Sequence, residues 1–278
     1  MAERYVAFLD LLGFKGQVAG KTQEESEEMI VEFANTVHEV WERYNKGRKQ
    51  ELIKAMPASD SVIVYTLEQA PEELDLLLQF SLTLMREVFE RNSNLLRGAV
   101  SKGGFMEVRN PGTRNFKETL MVGQAYVSAY TLEGQYKTST LQMHENVRDD
   151  IVNGFGQKKY PVDLVDAAEG VYSLRWGDME YISDLKTLAK FVRMASESDW
   201  RPHYYNTLYS FMRRSQSAVR RADLFRNVML LLAQGDPDAH WRRQDLFIQN
   251  AFNDKVDANF RRMFLEYLRN CTANSRPW

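Results

Sequence analysis

The chain has 278 residues, 44% hydrophobic and 27% charged, with a net charge of −2 and a single cysteine. That balance belongs to a folded globular protein and excludes a disordered, collagen-like or disulfide-scaffolded chain. No apolar run approaches membrane-spanning length, and Met1-Ala2-Glu3-Arg4 lacks the basic start and apolar core of a signal peptide, so a cytoplasmic protein without a membrane partner is expected.

The first half alternates strand and helix. Residues 5–9 form a continuous apolar run, as in a strand buried on both faces, and Gly13 and Gly16 break it. Thr22 with Glu25 three residues on is a capping-box pattern. The helix it opens carries Ile30, Phe33, Val37, Val40, Trp41 and Tyr44 as one stripe. Two strands follow, near 52–56 and 62–66, joined by the turn-forming Pro57-Ala58-Ser59-Asp60. Pro71-Glu72-Glu73 starts a second amphipathic helix, with proline and acids suited to the first turn. A fourth strand is expected near 95–100. The order βαββαβ predicts an α+β, ferredoxin-like sheet.

Beyond it come a Gly/Pro/Asn-rich excursion at 110–115, a helix at 123–133, a strand near 139–142 and another helix. After about residue 180 the pattern is helical (185–194, 204–232, 243–268), so the expected division is a domain at 1–180 and a helical C-terminal extension at 181–278. Residues 201–278 hold 13 Lys and Arg against 7 Asp and Glu, with Arg pairs on predicted helices. These read as a solvated face, or as one docking on the acidic remainder, in preference to a nucleic-acid surface. The extension is expected to pack across the first domain or a dimer interface.

Chemistry concentrates at two carboxylates. Asp10 ends the first strand before Leu11-Leu12-Gly13-Phe14-Lys15, and Asp60 sits at the hairpin tip before Ser61. In a βαββαβ sheet the first and third strands are neighbours, which brings these ends together. Paired carboxylates suit Mg²⁺ or Mn²⁺, and two such ions can serve an in-line phosphoryl displacement. A glycine turn before a helix offers backbone N–H groups to a polyphosphate. Taken singly, such residues are ordinary turn and cap positions. The histidines (His38, His144, His203, His240) lack metal-ligand spacing, Cys271 lacks a His partner, and Gly154-Phe155-Gly156 lacks the preceding strand of a nucleotide loop.

Together, Phe8-Leu9-Asp10-Leu11-Leu12-Gly13-Phe14, Ser59-Asp60-Ser61-Val62 and Arg97-Gly98-Ala99-Val100-Ser101 resemble the motifs of class III nucleotidyl cyclases. The resemblance covers roughly residues 4–175, with 123–133 as the catalytic helix. It implies a phosphorus–oxygen lyase working as a head-to-tail homodimer. Two Mn²⁺ or Mg²⁺ ions per site would be held by Asp10, Asp60 and the Leu11 carbonyl, and the triphosphate by the amides of Gly13, Phe14 and Lys15. Phe8 falls within the same motif and is assigned to the nucleotide site.

The chain also departs from the family. Val127 and Thr131 occupy the places of the helix Asn and transition-state Arg, and Met56 and Leu120 those of the purine readers. Arg97 and Lys102 are the candidates to replace the missing cation, and Tyr126 and Tyr130 to narrow the base pocket, against a packing role for the tyrosines. Val122-Gly123-Gln124-Ala125-Tyr126-Val127 with Ala129-Tyr130 and Leu132-Glu133 resembles the pyrimidine cyclases of the bacterial Pycsar antiphage systems. That resemblance implies conversion of UTP to cyclic UMP and pyrophosphate, with CTP to cyclic CMP as the alternative. The product would activate a separate effector without contact between the two proteins. Two further readings stay open: a catalytically dead, nucleotide-binding homologue, and a purine cyclase in which Lys54 reads the base.

Overall fold

The computed structural model describes residues 2–48, 50–109, 119–197 and 201–212. The predicted excursion at 110–115, the helices expected beyond residue 212, their Arg pairs, His240 and Cys271 lie outside the described residues. The chain divides into two compact units, Met1–Tyr136 with Thr140–Trp176, and Lys137–Ser139 with Gly177–Trp278.

The first unit is a mixed α+β fold in the order β1 (Ala2–Leu11), α1 (Phe14–Ala19), α2 (Gln23–Asn45), β2 (Ile53–Ala58), β3 (Ser61–Thr66), α3 (Pro71–Asn92), β4 (Leu96–Arg109), β5 (Thr119–Gly123), α4 (Gln124–Glu133), β6 (Leu141–His144), α5 (Glu145–Lys159), β7 (Asp163–Asp166) and β8 (Val171–Leu174). The strands form one sheet ordered β2-β3-β1-β4-β6-β8-β7, with β5 paired to β4. The β2-β3-β1-β4 portion is the ferredoxin-like arrangement that the element order predicts.

β1 is central and covered on both sides. Val6 and Phe8 pack with Ile63, Tyr65, Phe105, Ala125 and Ala129 beneath α4. The residues between them, Tyr5, Ala7 and Leu9, face the opposite side and are equally buried. The predicted caps form: Thr22 Oγ1 accepts from Glu25 N–H at 3.2 Å, and Glu25 Oε2 accepts from Thr22 N–H at 2.8 Å. Such a cap stabilises a helix by about 1 kcal/mol. Pro71 sits in the first turn of α3 as expected.

Several boundaries differ from the sequence expectation. Pro57 and Ala58 continue β2, so the turn shrinks to Ser59-Asp60, with Ser59 at φ 59°. A two-residue hairpin of this kind needs a left-handed residue, and strand twist favours it over a wider loop. β4 runs nine residues past Val100 because β5 pairs with its second half. The strand expected at 139–142 lies at β6, two residues later, where it pairs with β4 in parallel. β5, β7 and β8, at five, four and four residues, are too short to show a period in sequence. The short helix α1 was not anticipated either; Gly16, read as a breaker, lies inside it.

In the second unit, α6 (Met179–Ser183), α7 (Leu185–Glu197) and α8 (Arg201–Met212) follow one another. Phe191 stacks edge-on against Tyr204 and Phe211, with ring centroids 6.4 and 6.0 Å away. Lys137–Ser139 join this unit through two bonds from α8: Asn206 Nδ2 donates to the Lys137 carbonyl at 2.6 Å, and Ser139 N–H donates to Thr207 Oγ1 at 2.9 Å. Among the described residues, no helix is long and apolar enough to cross a membrane.

Candidate active site

The site lies at one end of the sheet, where β1, β3 and β4 finish together. Asp10 pairs in register with Ser61 on one side and Arg97 on the other. Directly opposed residues project to the same face, so all three side chains converge. Ser61 Oγ donates to Asp10 Oδ1 at 2.7 Å, and Arg97 Nη2 donates to Asp10 Oδ2 at 3.2 Å. Asp60 adjoins Asp10 across the hairpin tip, its carbonyl accepting from Leu11 N–H at 2.9 Å. The predicted adjacency of the two carboxylate-bearing strand ends is therefore met.

The turn after β1 is built for a tight exit. Gly13 takes φ 76° and ψ 12°, the left-handed region that favours glycine, and opens α1. Gln17 Nε2 bridges the Leu12 carbonyl at 3.3 Å and Asn94 Oδ1 at 3.1 Å, tying this turn to the chain entering β4. The first-turn amides of α1, including Phe14 and Lys15, have no intrahelical acceptor, and Lys15 is exposed.

A second carboxylate joins Asp10 and Arg97. Glu133, the last residue of α4, is 5% exposed, and its Oε1 lies 2.7 Å from Arg97 Nε in a close ion pair rather than an aligned hydrogen bond. Burial pushes the Glu133 carboxyl up to about 7; Arg97 pulls it down and Asp10 pushes it up. α4 reaches this position because Gly123 permits it. A Cβ there would overlap the Gly104 carbonyl oxygen and come within 2.6 Å of Phe105 Cα. Glu133 and Ser61 were assigned no role from sequence, although both stand inside the quoted motifs.

Other sequence candidates fall differently. Lys102 does not reach this site. It lies five residues from Arg97, an odd number that turns it to the opposite face, about 17 Å along the strand. There it pairs with Asp150 of α5 at 2.8 Å, alongside the Tyr5 hydroxyl on the same oxygen. Phe8 is on the correct face but 6% exposed beneath the rings of Tyr126 and Tyr130, so its role is in the core. Tyr126 is partly buried against the same cluster. Met56, opposite Ile63, is half-buried on the site's face. Lys54, two residues before it, pairs with Glu107 at 2.6 Å, and the Tyr65 hydroxyl donates to the same carboxylate oxygen at 2.9 Å. Lys54 and Glu107 border an open depression of about 510 Å³ with Arg4 and Phe105.

Among the described residues no group of three or more His, Cys, Asp and Glu could hold a metal, so a cation on the expected donors Asp10, Asp60 and the Leu11 carbonyl would keep open positions. Mg²⁺-type ions are commonly bound by one or two carboxylates, with water and substrate phosphate completing the shell.

No protein-family model matches the chain, and no curated protein does. Solved structures do match. The guanylyl cyclase domain of the RhoGC fusion protein from the aquatic fungus Blastocladiella emersonii, in a monomeric double-mutant form, superposes with a TM-score of 0.50 and 13% identity over 62% of this chain and 94% of that one. A dimeric form of the same domain gives 0.51 and 14% over 62% and 93%. The fold is that of a class III nucleotidyl cyclase catalytic domain.

On this cyclase fold the departures acquire places. Val127 and Tyr130 on α4 are each 58% exposed, and Leu120 and Val122 on β5 are 47% and 46% exposed. Met106, opposite Val122 on β4, is 42% exposed.

Proposed function

We propose that the chain is a metal-dependent nucleotidyl cyclase acting on a pyrimidine nucleotide, with UTP converted to cyclic UMP and pyrophosphate. The observation that supports the reading is that the strand ends bearing Asp10 and Asp60 are neighbours beside the Gly13 turn.

In this reading Asp10, Asp60 and the Leu11 carbonyl hold two Mn²⁺ or Mg²⁺ ions, which supply Lewis-acid activation of the ribose 3′-OH and neutralise charge at the α-phosphate. The amides of Gly13, Phe14 and Lys15 bind the triphosphate. Arg97, whose Nη2 reaches Asp10, would stand in for the Arg that is absent at Thr131. A purine reader is absent at both expected positions, since Met56 and Leu120 offer no hydrogen-bonding group to a base edge. That absence favours a pyrimidine, and CTP is the alternative within the same chemistry.

The exposed Val127 and Tyr130 of α4 are read as part of the homodimer interface, in the head-to-tail arrangement that completes each site with the second copy. The product would serve as a messenger in antiphage defence in the cytoplasm, read by a separate effector. A second reading has its own observation: with Val127 and Thr131 in place of the helix Asn and Arg, the chain is a nucleotide-binding homologue that does not turn over.

Purified protein incubated separately with ATP, GTP, CTP and UTP and Mn²⁺, with products identified by mass spectrometry, tests both. A cyclic pyrimidine monophosphate that disappears in Asp60→Ala is the expected result. A cyclic purine product would overturn the base assignment and point to Lys54. No product, with metal-dependent nucleotide binding retained, would establish the second reading.

A further inference from the structure

We infer that Glu133 is a positioning residue: by holding Arg97 through Nε, it limits the guanidinium's hold on Asp10 and keeps that carboxylate open to a divalent cation. The inference rests on the metal-binding reading of Asp10 and Asp60.

Arg97 stands directly opposite Asp10 in the β1–β4 register. Left to itself, a guanidinium so placed would engage the carboxylate with two parallel bonds, the preferred fork geometry. It does not. Its contact with Asp10 is single and long, 3.2 Å from Nη2, whereas Nε lies 2.7 Å from Glu133. The shorter contact is thus the ion pair with Glu133, while the aligned hydrogen bond goes from Nη2 to Asp10.

Glu133 has strong reason to keep this partner. It is 5% exposed, and it ends α4, where the helix dipole opposes a negative charge. Among the described residues Arg97 supplies the charge that stabilises it, and Asp10 the opposing one. An ion pair buried this deeply is costly to break from either side.

The consequence concerns exchange at Asp10. A cation that takes Oδ2 displaces one weak Arg97 contact and leaves the guanidinium paired with Glu133. Without Glu133, the same cation would have to break a complete Arg97–Asp10 pair and strand a mostly buried cation, since the Arg97 side chain is 18% exposed. Above pH 7, where Glu133 is ionised, its removal also takes one negative charge from the cluster. Both effects weaken cation binding. A role confined to fastening α4 onto β4 would change stability and leave cation affinity alone.

The test is Mn²⁺ titration of the full chain without nucleotide, by calorimetry, for wild type, Asp60→Asn, Glu133→Gln, Arg97→Met and the Glu133→Gln/Arg97→Met pair. Glu133→Gln should weaken Mn²⁺ binding by about ten- to a hundredfold, the range for groups that orient metal ligands. Arg97→Met should tighten it, and the double variant should recover most of the loss. Arg97→Met alone decides the matter if Glu133→Gln does not fold; weaker Mn²⁺ binding there would overturn the inference. So would a Glu133→Gln affinity equal to wild type while Asp60→Asn weakens binding, and the metal reading would then survive. Wild-type binding that is absent, or indifferent to Asp60→Asn, overturns both.

Discussion

Glu133→Gln also makes a stability prediction that needs no metal. The Glu133 carboxyl is raised from an ordinary 4.5 to about 7, chiefly by burial. At 1.36 kcal/mol per pKa unit, that displacement corresponds to about 3 kcal/mol. The group is 5% exposed, so solvent screening removes little of it. The direction follows from proton counts. Between pH 4.5 and 7 the unfolded chain has released this proton while the folded chain still holds it, so unfolding becomes more favourable as pH rises. The cost is absent below the unfolded value and complete above the folded one. Glutamine at this position does not titrate and fills nearly the same volume. Urea unfolding in EDTA, followed by circular dichroism from pH 4.5 to 8, should therefore show wild-type stability falling relative to Glu133→Gln by about 3 kcal/mol. A difference between the two proteins that stays flat across this range would refute the burial argument. It would mean that Arg97 holds Glu133 ionised throughout, as a strong pair compensates a buried charge.

Gly123→Ala should destabilise the first unit by about 3 kcal/mol, the upper end for overpacking, because both groups it meets are backbone of β4. Gly134→Ala, at the other end of α4 with open space around its Cβ, should fall within about 0.5 kcal/mol in the same thermal or urea denaturation. Val127→Asp and Tyr130→Asp place charges on the exposed apolar face of α4 and should lower the mass seen in sedimentation equilibrium to that of one chain. An unchanged mass would remove that face from the proposed interface.

Much of the fold was legible because its signals are local. The Thr22/Glu25 box, the proline opening α3 and the apolar run of β1 each act within a few residues, and each formed as read. The elements missed depend on partners instead. β5 carries Leu120, Val122 and a glycine, and it is a strand because β4 continues far enough to pair with it. The halves of β7 and β8 likewise gain their hydrogen bonds from each other and from β6.

The same distinction governs the site. Asp10 and Asp60 were readable as a pair because the βαββαβ order makes β1 and β3 neighbours, and adjacent strands bring their ends together whatever their detailed register. Lys102 and Arg97 could be separated only by register. Both are cations on β4, yet five residues along a strand reverse the face, so one meets Asp10 and the other Asp150. Glu133 was the hardest to assign because nothing local marks it. An acid at a helix C-terminus opposes the dipole and reads as a surface residue. What makes it part of the site is a contact with Arg97, 36 positions away in sequence, brought into reach by the glycine that lets α4 settle onto β4. An acid placed against its local preference, beside a strand motif rich in glycine, was the signal available. It becomes informative once the strand neighbours are known, because only then does the charge have a partner to explain its cost.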